Sequence, residues 1–316
     1  MFSTEQVSLL STDFKFKNQK GKYKGKVRDV YDLGDQLIII TTDRISAFDH
    51  ILSRPIPYKG QVLNQIAAHF LNAVKDICKV WLIECPDPNV SVGYKCKPIP
   101  IEMVVRGYLA GHALREYSSG KRILCGVALD EGLKENQKFN QPIITPTTKA
   151  SAGHDEDISI ANIRVKKIVT DDVLDKMCNT AFQLFERGTQ MAADRGLILV
   201  DTKYEFGLID NDLVLMDEIH TPDSSRYFEK EAYYENFQNG SPQVQLSKEF
   251  VREWLMAHGF QGKEDQIMPE MPDLFVWHTS DRYIDLYERI SGKPFQKPSP
   301  EQSISDRISQ NLSNYF

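Results

Sequence analysis

The chain of 316 residues predicts an α+β fold in two lobes, a smaller β-rich N-terminal lobe (1–105) and a larger α/β lobe (106–316). Two observations carry this expectation. The first third is dominated by β-branched runs broken by turn residues, whereas the rest mixes a strand pair with long stretches of helical periodicity. A composition of 41% hydrophobic and 26% charged residues is that of a globular chain long enough for more than one minimal core. A cleft between two such lobes is the expected place for a ligand.

The elements follow in order. KVRDVYDL and QLIIITTD flank a short turn at Gly34-Asp35, a hairpin signal. In GQVLNQIAAHFLNAVKDI, Val62, Leu63, Ile66, Ala67, Phe70, Leu71 and Val74 recur at helical spacing. PIPIEMVVRGYLAG supplies a strand that begins through Pro98 and Pro100, and residues 142–153 are loop by composition. Residues 171–195 form a long helix stopped by Gly196. LILVDTKYEFGLID and LVLMDEI make a second hairpin around Asn211-Asp212. Two later helices, over 247–258 and 280–291, end at Gly259 and Gly292. In the tail, Ile304, Ile308 and Leu312 put one narrow apolar stripe on a last helix.

Composition limits the partners. Thirty-eight basic against 44 acidic residues leave a formal charge of −6, which argues against a general nucleic-acid binder but not against a local basic site. No run approaches the roughly 18 apolar residues of a membrane span, and the early VSLL is interrupted at once by Ser11, Thr12 and Asp13. Five cysteines, an odd number without CxxC spacing, suit reduced thiols filling a core in the cytoplasm and give no zinc signature.

Chemistry concentrates in a few stretches. Period-two alternation in LILVDTKYEFG places Asp201, Lys203 and Glu205 on one face of a strand and Val200, Thr202, Tyr204 and Phe206 on the other. Such a face is an ordinary solvated surface unless its neighbours say otherwise. A three-residue hairpin loop centred on Asn211 sets Glu205 opposite Asp217, a carboxylate pair of the kind Mg²⁺ takes; a two-residue loop sets it opposite Glu218 instead. KYKGKVRD carries Lys22, Lys24, Lys26 and Arg28 on one face if extended, and Gly25 allows a phosphate chain to lie close to Lys26 and Arg28. The spacing is not that of a Walker A loop. Arg106 leaves an apolar strand beside Gly107 and requires an anion or a carboxylate partner. TPDSSR offers Asp223, Ser224, Ser225 and Arg226 in a loop, and TPTTKASAGHDEDIS brings Lys149, His154 and Asp155 together in another. Three cationic loops and one carboxylate hairpin indicate an enzyme of nucleotide phosphates.

The blocks GKVRDVYDL, TDRISAFD, PIPIEMVVRGYLAG, TPTTKASAGHDEDIS, VDTKYEFG and DEIHTPDSSR, in this order between Gly25 and Arg226, resemble the SAICAR synthetase family. The resemblance implies a kinase-like two-lobed ATP-binding fold. It also implies an ATP- and Mg²⁺-dependent ligase joining L-aspartate to the carboxylate of CAIR (5-aminoimidazole ribonucleotide 4-carboxylate). Lys26, Arg28 and Lys149 are then expected on the ATP phosphates, and Glu205 and Asp217 on Mg²⁺. Arg106, Asp223, Ser225 and Arg226 are expected on the ribonucleotide, Lys203 and Asp201 beside the reacting carboxylates. Ser46, Asp49 and Asp155 join the substrate-facing loops. His112 stands where family members often have Ser, at a position associated with the ribonucleotide phosphate. A small-molecule kinase on a related scaffold is the competing enzymatic reading, and a nucleotide-binding regulatory protein without turnover the non-enzymatic one.

Overall fold

The computed structural model describes residues 4, 7–149, 156–299 and 301–316. The chain opens with β1 (Gly21–Lys24), β2 (Arg28–Asp32) and β3 (Gln36–Thr41), a two-residue pair β4 (Ser46–Ala47) and β5 (His50–Ile51), and helix α1 (Lys59–Ala73). β6 (Lys79–Val80), β7 (Leu82–Asp87), β8 (Val90–Tyr94) and the long β9 (Lys97–Tyr108) come next. Then follow α2 (Gly111–Ser118), β10 (Ile123–Leu124), β11 (Val127–Ala128), β12 (Lys138–Ile144), β13 (Thr147–Thr148), α3 (Ile160–Val165) and α4 (Asp171–Ala193). The last part holds β14 (Leu197–Ile209), β15 (Asp212–Met216), β16 (Ser225–Glu229) and helices α5 (Lys230–Asn239), α6 (Glu249–Ala257), α7 (Asp273–Ser291) and α8 (Ile304–Asn311).

Two sheets organise these elements, as an α+β chain requires. One is antiparallel in the order β1-β2-β3-β8-β7; the other runs β12-β9-β14-β15-β6, with β13 added to β9 and β16 to β14. Apart from β6, which joins the second sheet beside β15, the sheets separate between β8 and β9. Residue 105 lies within β9, which is continuous to Tyr108, and we propose the lobe boundary at residues 95–96 instead. The main core lies under the second sheet, where α4 turns Leu174, Met177, Ala181, Leu184 and Phe185 onto β9 and β14. That helix starts at Thr170, whose hydroxyl accepts from the Val173 amide, with Asp171 and Asp172 complementing its dipole. The narrow stripe of the tail is explained by its partner. Ile308 and Leu312 are fully buried against Tyr31, Ile38, Ile40, Val90 and Val92 of the first sheet, and Arg307 grips Asp87 through two hydrogen bonds of 2.9 and 3.0 Å.

Several sequence expectations change. Residues 142–153 are not all loop: Pro142, Ile143 and Ile144 finish β12, and Thr147 and Thr148 pair with Glu102 and Ile101 of β9. The helix expected to start at 280 begins at Asp273, directly after Pro272. Cys85 is exposed rather than core filler. No helix among the described residues is long and apolar enough to cross a membrane.

Candidate functional site

A cleft of about 700 Å³ opens between the sheets, and its wall is the charged face of β14. β14 lies between β9 on one side and β15 and β16 on the other, so both of its edges are paired. Asp201 and Glu205 are only 4% and 5% exposed, which excludes the solvated-surface reading of this strand. Cross-strand register builds the wall. Asp201 pairs with Arg106, Lys203 with Val104 and Glu205 with Glu102 of β9, and Asp201 also lies opposite Arg226 of β16.

Two ionic clusters result. At one end Asp201 Oδ2 accepts from Arg106 at 3.2 Å and from Arg226 at 2.7 Å. Arg226 also donates to Glu249 at 2.9 Å, while its Nε is buried without a partner. Burial pulls the Arg106 guanidinium below its usual pKa range, partly opposed by Asp201. Gly111, first in α2, has φ +53°, and a Cβ there would fall 2.2 Å from an Arg226 nitrogen, so glycine is needed for this approach. At the other end Lys203 Nζ lies 2.6 Å from Glu102 and 3.2 Å from Glu205, and Lys149 also pairs with Glu205. Directly opposed carboxylates repel; Lys203 compensates them. Burial alone would raise the Glu205 carboxyl, but Lys203 and Lys149 more than reverse it and hold it near 2. Burial raises the Glu102 carboxyl, with Lys203 opposing.

The carboxylate hairpin has a different register from either expectation. Asp210 and Asn211 both have positive φ, 49° and 71°, which fits a two-residue type I′ turn. Ile209 then pairs with Asp212, and Glu205 lies opposite Met216, not Asp217 or Glu218. Asp217 follows the strand and is bound by Arg28 at 2.5 Å, which also reaches Glu218 at 2.7 Å. Burial, reinforced by Glu205 and Glu218 and opposed by Arg28 and Lys203, pushes the Asp217 carboxyl up to about 6.

The basic segment also departs from its extended reading. The chain reverses at Lys26-Val27, closed by the Gly25 amide donating to the Arg28 carbonyl, so the four cations do not share a face. Lys22 turns to Asp13, Lys26 meets Asp49 at 2.5 Å at the cleft, and Arg28 lines a separate small cavity with Asp217 and Glu218. Ser46 of β4 and Asp49 of the β4–β5 turn reach the cleft, and Phe48 and Asp49 in that turn have positive φ. His112 lines it from α2 and bonds Asp157 at 2.8 Å. Ser225 and Arg226 begin β16 rather than lying in a loop, and Ser225 donates to Thr202 at 2.7 Å. Asp223 is buried, with Lys59 at 3.0 Å, Lys248 at 3.4 Å and the Tyr283 hydroxyl at 2.7 Å. His154 and Asp155 lie outside the described residues.

Sequence reasoning missed Glu102, Lys248, Glu249, Arg252 and Arg115, all of which line the cleft. Glu102, Val104 and Arg106 share one face of β9, so period two applied to PIPIEMVVRG finds the first of these. The others stand on helices or just before one, where a charged residue carries no signal of what it faces. Arg106→Lys keeps the charge and loses the planar fork held between Asp201 and Thr145. On the role that the resemblance implies for Arg106, the expected result is a KM for the ribonucleotide raised by roughly tenfold or more, with the KM for ATP little changed. Equal losses in steady-state kinetics would assign Arg106 to holding the wall alone.

With this geometry in place, likeness to known proteins is specific. A SAICAR synthetase family model matches residues 21–269. The chain is 55% identical over 311 residues to phosphoribosylaminoimidazole-succinocarboxamide synthase of Bacteroides thetaiotaomicron, covering 98% of this chain and 99% of that one. It is 45% identical over 300 residues to the enzyme of that name from Legionella pneumophila, covering 93% and 95%. Among solved structures, SAICAR synthase from Saccharomyces cerevisiae complexed with SAICAR superposes with a TM-score of 0.76 at 30% identity, over 90% of this chain and 99% of that one. The chain belongs to the SAICAR synthetase family.

Proposed function

We propose that this chain is an ATP-dependent ligase that joins L-aspartate to the carboxylate of CAIR, giving SAICAR, ADP and phosphate in purine biosynthesis. Identity of 55% over nearly the whole of a phosphoribosylaminoimidazole-succinocarboxamide synthase is the observation that carries this reading. The kinase alternative is not favoured by that likeness. The reaction divides into two transfers. A CAIR carboxylate oxygen takes the γ-phosphoryl group of ATP and releases ADP; the aspartate amine then attacks the acyl carbon and phosphate leaves. No activated nucleophile of the enzyme is required.

Each residue of the wall has a part in this reading. Arg106 and Arg226, with Ser225, hold the ribonucleotide at the end of β14 where Asp201 fixes both guanidiniums. Asp223 supports that end from behind through its two lysines, and His112 faces the phosphate. Lys203 draws the anionic substrates to the middle of the strand, where charge builds up during transfer. Lys26 and Lys149, which both line the cleft, act on the ATP phosphates, while Arg28 acts by fixing Asp217. Glu205 and Asp217 would hold Mg²⁺ together with phosphate oxygens. The residues fit such an ion, because the buried Asp217 carboxyl is raised by the nearby charges of Glu205 and Glu218, which a divalent cation would relieve. When bound, Mg²⁺ neutralises the phosphate charge that develops as the γ-group moves.

An ADP-release assay that omits CAIR and L-aspartate in turn tests the proposal. Release that requires both substrates supports the ligase, and release without aspartate as stoichiometric phosphorylated product supports the kinase. Glu205→Gln and Asp217→Asn are each expected to lower turnover on the order of 10²-fold and to raise the Mg²⁺ concentration for half-maximal rate. Wild-type rates at limiting Mg²⁺ in both variants would remove these carboxylates from the metal site.

A further inference from the structure

We propose that Lys248 is the base that takes a proton from the ammonium group of L-aspartate and so exposes the attacking lone pair. This rests on the ligase reading above. L-Aspartate arrives as an ammonium ion and must lose one proton before it can attack. Lys248 Nζ as –NH₂ accepts that proton and becomes –NH₃⁺. The nitrogen lone pair then forms the C–N bond, the bond from carbon to the phosphate oxygen breaks, and the second N–H proton leaves with phosphate as HPO₄²⁻. Lys248 returns its proton to solvent after product release.

Among the described residues, the carboxylates that line the cleft are already engaged. Asp201 is held by two arginines, Glu205 by Lys203 and Lys149, Glu102 by Lys203, Glu249 by Arg226 and Arg252, and Asp49 by Lys26. Protonating any of these breaks an ion pair, and carboxylates stabilised by cations are weak bases. Around Asp223 the balance is reversed. Its Oδ1 accepts from Tyr283 of α7, and its Oδ2 faces two ammonium groups, Lys59 of α1 and Lys248 just before α6. Arg252, one turn further along α6, adds a third cation, and Glu218 after β15 is the other acid whose field reaches Lys248. Arg252 is paired with Glu249, but Lys59 and Lys248 share the single carboxylate of Asp223, so one of the two lysines gains by being neutral. Lys59 is fully buried, and its Nζ has no hydrogen-bond partner despite the 3.0 Å ion pair. Lys248 lines the cleft and is 14% exposed, so it is the lysine that can exchange a proton with a substrate. Burial lowers its pKa, Asp223 opposes, and Arg252 and Lys59 reinforce the fall, to about 8. A base poised there matches its task near neutral pH.

The test compares two nucleophiles in the full-length enzyme with CAIR, ATP and Mg²⁺ saturating. Wild type should show kcat/KM for L-aspartate rising about tenfold per pH unit up to a limb near 8 and levelling above it. Hydroxylamine, uncharged at neutral pH, should trap the acyl phosphate as a hydroxamate without needing a base. Lys248→Arg keeps the cation and removes the base. It should lose aspartate turnover on the order of 10²-fold or more and the limb with it, while CAIR-dependent hydroxamate formation stays close to wild type. Retained aspartate turnover in Lys248→Arg would show that only the charge matters, and parallel loss of both products would show that Lys248 supports activation or folding; either overturns the proposal. Disappearance of the limb in His112→Ser but not in Lys248→Arg also overturns it. Absence of CAIR-dependent hydroxamate in wild type would instead count against the ligase reading itself.

Discussion

Lys203→Met loses ligase turnover by an expected 10³-fold or more, whereas ATP binding weakens far less. The side chain is the cation of a wall whose two nearest acids are directly opposed. Glu205 of β14 pairs with Glu102 of β9, and Lys203 Nζ bonds both. Methionine fills similar space and leaves two carboxylates facing each other at 5% and 7% exposure. Removing one partner of a fully buried pair costs about 3–5 kcal/mol. Lys203 is itself a third exposed, which places its cost below that range, at roughly 1–3 kcal/mol. The thermal midpoint should therefore fall, and a second change, Glu102→Gln, should recover most of it without restoring turnover. The acid side is informative too. The Glu205 carboxyl is held near 2 in the folded chain, so its contribution is complete above the unfolded value of about 4.3 and is lost as pH falls toward 2. Without Lys203 that loss should begin at higher pH. Normal CAIR- and aspartate-dependent turnover in Lys203→Met would show that the charged face has no part in the reaction.

The difference between what the chain reveals and what only folding reveals is physical. Alternation along β14 was legible because side chains on a strand repeat every two residues whatever the strand packs against. The position of the cleft on that face was legible only with the family resemblance, since periodicity does not say whether a charged face meets water or a second lobe. Register failed at one point. A turn at Asp210-Asn211, with both residues left-handed, is shifted by one position from the turn expected at Asn211-Asp212, and this moves every partner of Glu205. KYKGKVRD failed for a similar reason, because Gly25 closes a hairpin that separates Lys26 from Lys22. Of the buried cluster of Lys59, Asp223, Lys248 and Tyr283, only Asp223 is marked by its motif, and nothing local joins it to the other three. The members are separated by up to 224 residues, and each of those three in isolation looks like a surface residue of a helix or loop.

Asp201→Asn is expected to be the most destabilising single change in the wall. The carboxylate lies between two guanidiniums, from Arg106 on β9 and Arg226 on β16, and all three side chains are largely buried. Asparagine preserves the shape and can still accept one hydrogen bond, but it supplies no charge. Arg226 keeps Glu249 at 2.9 Å, so its ion pairing is halved rather than abolished. Arg106 keeps only the neutral Thr145 hydroxyl at 2.8 Å among its described bonds. A buried cation left without its partner costs about 3–5 kcal/mol, which for a chain of this size is a fall of roughly 5–8 °C in the thermal midpoint. Burial already lowers the Arg106 guanidinium from its usual range, and loss of Asp201 removes the main group opposing that fall. The same uncompensated charge makes a second expectation. If this end of β14 receives the ribonucleotide, an anionic ligand replaces part of what Asp201 provided, so CAIR should raise the midpoint of Asp201→Asn by more degrees than it raises that of wild type. Turnover should nevertheless stay low, because the two guanidiniums no longer have a fixed geometry. Melting curves with and without CAIR distinguish the cases. A midpoint within a degree or two of wild type would show that the arginines are compensated from elsewhere, and a large fall that CAIR does not offset would leave Asp201 as a structural anchor remote from the ligand.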